Sequence, residues 1–198
     1  MLHVIAVAYE RYAPLEILIR SFIVQTNPNW VLHIVYDGPA PQGILDIVAP
    51  FLDGTKKDGR VHFYQSPERY QKYGHPNRRT MLQTIETAAN DFILMTNDDN
   101  IHIMKSVEFI LNKVKPHVGI IYWDTVHSHA NYDIHISELR ENCIDMAAFA
   151  VRADVAKGVG FNHDHFSADG VYAEECNRAC QIRNLKAVKI KKCLLIHN

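Results

Sequence analysis

Asp98 and Asp99 stand side by side in FILMTNDDNI, residues 92–101, directly after an apolar run. Two carboxylates held this close repel each other unless a cation, hydrogen-bond donors or water offset the charge. Hard divalent cations favour oxygen ligands, and a phosphate supplies those the protein leaves open. If the chain is still extended through the pair, the two side chains point apart, so one suits a metal and the other a sugar hydroxyl. The competing reading is a solvated Asx-rich turn, NDDN, at a helix start.

The elements around the pair decide what could join it. LHVIAVA (2–8) reads as a strand, followed by a helix with Pro14 in its first turn and an apolar face of Leu15, Leu18, Ile19, Phe22 and Ile23. WVLHIVY (30–36) is a second strand, broken by Asp37-Gly38-Pro39. A helix over about 42–52 and the loop DGTKKDGR lead to the strand VHFYQ (61–65) and the polar, aromatic loop SPERYQKYGHPN. A helix from about 77 to 89 should turn Met81, Leu82, Ile85, Ala88 and Ala89 inward, ahead of the strand FILMT (92–96). A helix over about 104–115, with Met104, Val107, Ile110, Leu111 and Val114 inward, and the strand VGIIYW (118–123) follow. Alternating, near-continuously apolar strands and helices predict an α/β fold, a mostly parallel sheet with helices on both faces. Ligands of such sheets gather at the carboxyl ends of the strands. Residues 9–12, Asp37, the 66–77 loop and residues 97–100 all fall there.

After residue 124 the pattern loosens. DTVHSHANYDIHISELREN carries three of the 12 histidines, IDMAAFAVR reads as a strand, GVGFNHDHF as a loop and ADGVYAEECNRACQIR as a helix. In the last strand, KAVKIKKCLLI, the residues Lys189, Lys191 and Lys192 form a solvated face. The H-x-H pairs His127/His129 and His163/His165 suit a strand face, and without cysteine partners or a third histidine at a suggestive spacing they do not make a zinc site.

The 198 residues suit one domain. Twenty-one basic against 22 acidic residues exclude the footprint of a non-specific duplex nucleic-acid binder. The first residues, with Glu10 and Arg11 soon after the apolar run, resemble neither a signal peptide nor a membrane span, and no later run is long enough to span. Four cysteines without a CxxC pair read as reduced thiols, Cys176 and Cys180 in a helix core. The expectation is a cytoplasmic protein with no nucleic-acid partner and no membrane span, and a homo-oligomer is compatible with it.

Three segments together resemble the family 2 glycosyltransferases of the GT-A fold: AVAYERYAPLEILIRSFIVQTNPNWVLHIVYDGP, YGHPNRRTMLQTIETAANDFILMTNDDN and GVGFNHDHFSADGVYAEECNRACQIR. The resemblance implies a single GT-A domain over 1–198, Rossmann-like, with a nucleotide-sugar half (1–123) and a small mixed half for the acceptor and catalytic base (124–198). It implies a UDP-sugar donor, a carbohydrate or other hydroxyl acceptor, and Mn²⁺ or Mg²⁺. Ala8 and Tyr9 would border the base, with Glu10 and Arg11 nearby, and Asp37 would accept from it. Arg78 or Arg79 would face the phosphates or the sugar. Asp99 would hold the metal, Asp98 would sit at the ribose or share the metal, and His197 resembles the histidine that completes the metal site in some members. Asp169 would be the general base of an inverting transfer, with Asp164 in reserve.

Two departures stand out: Asn97 where the family commonly has Asp, and Ala168 where it often has Glu. They favour the alternative of a catalytically impaired nucleotide-sugar-binding module. A sugar-phosphate nucleotidyltransferase, another alternative, needs a Gly-rich loop after the first strand, and AVAYERYAP has none. The absence of a Gln-x-x-Arg-Trp motif argues against a processive synthase.

Overall fold

The computed structural model describes residues 1–52 and 59–198; residues 53–58 of the expected DGTKKDGR loop lie outside them. The chain runs β1 (Leu2–Ala8), α1 (Tyr12–Ile23), β2 (Trp30–Tyr36), α2 (Gln42–Leu52), β3 (Val61–Gln65), α3 (His75–Thr84) and β4 (Phe92–Asn97). It continues with β5 (Ile101–His102), α4 (Ser106–Leu111), β6 (Val118–His127), β7 (Asp133–His135), β8 (Phe149–Arg152), α5 (Ala153–Val159), α6 (Ala168–Ile182) and β9 (Lys186–His197). One sheet orders its strands β3-β2-β1-β4-β8-β6-β9-β5, with β7 paired to β6. Contacts within β3-β2-β1-β4 and between β6 and β9 are parallel; β8, β5 and β7 pair antiparallel.

Side-chain alternation divides the core into two layers. Leu2, Val4, Ala6 and Ala8 of β1 pack with Leu15, Leu18 and Phe22 of α1 and Val48 of α2. Ile5 and Val7 face Met81 and Leu82 of α3 and Tyr172 and Cys176 of α6. Every residue of β1 is buried, as a strand covered on both faces requires. Because β8 is antiparallel to both β4 and β6, the strands β1, β2, β4, β6 and β9 all run the same way. Their carboxyl ends share one rim, and the turn that enters β8 reaches it too.

Several elements differ from the expected ones. α3 stops at Thr84, where Ile85 turns extended at ψ 137°, and Ala88 and Ala89 are exposed rather than inward. The cause is Asp91: its carboxylate takes the Ala88 N–H at 2.8 Å while its own N–H bonds to the Ala88 carbonyl, closing a turn into β4. α4 is shorter than 104–115, and Met104 is 55% exposed. The buried amide of Gln25 explains this by holding the Ile103 carbonyl and the Val107 N–H, so the helix begins late. α5 had no counterpart in the expected pattern. IDMAAFAVR is a 3-10 turn over Met146–Ala148 followed by β8, and β6 continues through residue 123 into the histidine-bearing segment.

Candidate active site

At the shared rim lies a cleft of about 730 Å³. β4 ends where the Asn100 N–H turns back to the Asn97 carbonyl at 3.4 Å, leaving Asp98 and Asp99 at its tip. Asp98 accepts from the Tyr9 N–H at 3.0 Å, which ties the tips of β4 and β1 together. Arg11 pairs with Asp99 and stands 3.7 Å from Asp98, so the like charges are offset by a cation from the chain itself. Burial still pushes the Asp98 carboxyl up to about 6. Asp99 Oδ1 is buried with no partner.

The second wall is the loop after β3. Asp37 accepts from the N–H groups of Tyr70 and Gln71 at 2.9 and 3.0 Å and from the Asn77 amide at 2.8 Å. Three of its roughly four lone-pair sites are thereby occupied within the protein. In the segment so held, Gln71, Lys72, Tyr73 and Gly74 all have positive φ, at 57°, 47°, 57° and 75°. A Cβ on Gly74 would lie 2.5 Å from Val7 Cγ1, so only glycine brings the loop this close to β1.

The structure separates the two candidate arginines. Arg78 is buried at the cleft, bonded to the Tyr73 carbonyl and to Asn97 Oδ1, and burial lowers its pKa to about 10 against the pull of Asp169, Asp145 and Asp98. Arg79 points elsewhere. Its guanidinium holds the Phe161 carbonyl and Asp164, each at 2.8 Å, and it is not among the residues that line the cleft. Asp164 also bonds Lys72 at 3.1 Å and does not line the cleft.

Asp169 also lines the cleft, in the first turn of α6. A Cβ on Gly170 would lie 2.6 Å from Glu141 Cα, so glycine lets this turn seat against the 140–142 backbone and aim Asp169 inward. Burial and the nearby Asp145 push the Asp169 carboxyl up to about 6, against the Gly170 N–H bond at 2.8 Å. His197 Nδ1 lies 3.3 Å from Asp145 Oδ2 but is not aligned for a hydrogen bond, and it is buried without a partner.

Of the expected residues, Ala8, Tyr9, Arg11, Asp37, Arg78, Asp98, Asp99, Asp169 and His197 all line this cleft. For a divalent cation the unpartnered Asp99 oxygen and His197 nitrogen are fitting donors. Among the described residues, though, no three His, Cys, Asp or Glu side chains are already disposed to hold one. The sequence did not point to Asp145 or Arg69, nor to His127, His129 and His135 as lining the cleft with His197. Arg69 lies over the Tyr9 ring at 3.6 Å, a contact its loop position does not announce. The His127 ring lies within 5.1 Å of those of His129, His135 and His197, rings contributed by β6, the following turn, β7 and β9. The H-x-H at 127 and 129 was the available signal; its further partners come from the fold.

Several solved structures share this fold. The S. aureus TarS 1–349 structure in complex with UDP superposes at TM-score 0.77 with 15% identity, over 99% of this chain and 60% of that one. The same protein with UDP-GlcNAc gives TM-score 0.75 at 14% identity, over 99% and 58%. A mannosyltransferase from Pyrobaculum calidifontis, in complex with GDP-Man and Mn²⁺, gives TM-score 0.70 at 13% identity, over 99% and 56%. The chain thus spans 60% or less of the length of these three. Among the described residues no helix is long and apolar enough to cross a membrane. The model of Glycosyl transferase family 2 matches residues 3–163, and the chain belongs to that family.

Proposed function

We propose that this chain transfers a hexose from a UDP-sugar to an acceptor hydroxyl, with inversion at the anomeric carbon and with Mn²⁺ or Mg²⁺ as cofactor. The observation that carries the reading is that two separate carboxylate groups line one cleft. Asp98 and Asp99 sit at the tip of β4, and Asp169 lines the same cleft from the first turn of α6 with its pKa raised to about 6, close to where a general base works best. Tyr9, backed by Arg69, offers a face for the base, and the remaining lone pair of Asp37 accepts the uracil ring N–H. Arg11 and Arg78 supply positive charge to the diphosphate. Asp99, with Asp98 or His197, would hold the cation, which when bound neutralises charge on the departing diphosphate. The acceptor oxygen attacks the anomeric carbon, the bond from that carbon to the diphosphate oxygen breaks, UDP leaves, and the acceptor proton passes to Asp169.

UDP release from UDP-hexoses, with an acceptor panel and with or without EDTA, tests the reading. Turnover should require the metal, and the product should carry the opposite anomeric configuration by NMR. A retained anomer would refute inversion, and EDTA-insensitive turnover would refute the metal role. UDP binding without turnover would favour the impaired binding module, to which Asn97, spent on Arg78, already points.

A further inference from the structure

The cleft has an aromatic lip that the donor reading leaves unused. Tyr73 and Phe166 both line it, their rings 5.9 Å apart and edge-on at 72°. They stay 64% and 80% exposed, in a chain that buries most of its large apolar side chains. Such exposure beside a cleft marks an interaction site.

The lip is built, not incidental. Tyr73 sits in the left-handed run 71–74, a conformation that non-glycine residues keep only where surroundings enforce it. Asp37 enforces it from one side. From the other, Asp164 bridges Lys72 and Arg79, Arg79 also holds the Phe161 carbonyl, and His75 bonds the His165 carbonyl at 3.1 Å. These contacts lock the Tyr73 loop to the Phe166 loop and give Arg79 and Asp164, outside the cleft, a positioning role. Phe166 lies three residues before Asp169, and both line the same cleft.

We propose that Tyr73 and Phe166 form the acceptor platform, and that the acceptor is a carbohydrate presented as a closed pyranose ring; the acceptor role rests on the transferase reading above. The C–H groups on the apolar face of a pyranose carry slight positive charge and complement the negative face of an aromatic ring. Its hydroxyls remain free for polar neighbours in the cleft, Asn142 and Ser167. An open-chain polyol has the hydroxyls but no such face.

The test is saturation-transfer NMR on the whole chain with methyl glycosides of glucose, galactose, mannose and N-acetylglucosamine, and with D-glucitol as the open-chain control. At least one pyranoside should respond and glucitol should not. Y73A and F166A should each weaken that response at least fivefold, Y73F should keep it, and UDP affinity should stay within twofold in all three. Silence from every pyranoside, an equal response from glucitol, or unchanged responses in both alanine variants would overturn the proposal. So would a change of oligomeric state in those variants, which would make the lip a contact between copies. If the pyranoside pattern holds while UDP is not bound, the platform stands and the donor reading falls.

Discussion

Asp169 is protonated below about pH 6 in the folded protein, because burial and Asp145 disfavour its charge more than the Gly170 N–H favours it. A base must be ionised to act, so kcat/KM should fall about tenfold per pH unit below that value, a limb that a pH–rate profile would reveal. Asp169→Asn should lower kcat by roughly 10²–10⁴-fold with UDP affinity unchanged in calorimetry. The two arginines predict opposite outcomes. Arg79→Ala should leave UDP affinity within about twofold, because its partners are Phe161 and Asp164. Arg78→Ala should weaken UDP binding and destabilise the fold by about 3 kcal/mol or more in urea unfolding, since it strands buried carboxylates around an absent cation.

At the scale of elements, β1, β2 and β3 carry a row of imidazoles away from the cleft. His33 stacks between His3 and His62 at 5.6 and 5.4 Å, beside Tyr64, and His3 contacts Asp91 at 3.3 Å. Burial, then the charges His3 and His62 would carry, lower the His33 pKa to about 4. A lowered folded pKa means that the unfolded chain binds the proton more readily. The contribution is therefore neutral above about pH 6.5, and stability is lost as pH falls from there toward 4. From His33 alone the unfolding free energy should drop by about 2 kcal/mol between pH 7 and pH 5, and His33→Gln should flatten that slope in urea melts. The left-handed turn at 71–74 gives a second prediction. Gly74→Ala combines a φ of 75° with a clash on Val7, and should cost about 2 kcal/mol or more in thermal unfolding.

For the whole molecule, binding that needs the assembled rim stabilises the native state alone. UDP-sugar with Mn²⁺ at 100 times its Kd should raise stability by about 2.7 kcal/mol, roughly 5–11 °C in Tm for a chain of this size. UDP-sugar with EDTA should give a clearly smaller shift; an equal one would contradict the metal assignment.

The alternation of apolar strands and helices determined the α/β class, and it placed Tyr9, Asp37 and Asp98–Asp99 at strand ends, because backbone periodicity is a local property. The family resemblance supplied roles for those residues and for Asp169. Boundaries were less legible, since α3 and α4 are cut short by Asp91 and Gln25, whose hydrogen bonds reach across the chain. Tertiary structure alone put Arg78 at the cleft and Arg79 against Phe161 and Asp164, though they are adjacent in sequence. It set Asp164 against Lys72 and Arg79 rather than in the cleft. It also gathered four histidines from three strands and a turn, with His127 in contact with the other three. Such choices depend on which distant side chains fill the remaining space, and neighbours in space leave no spacing to read along the chain.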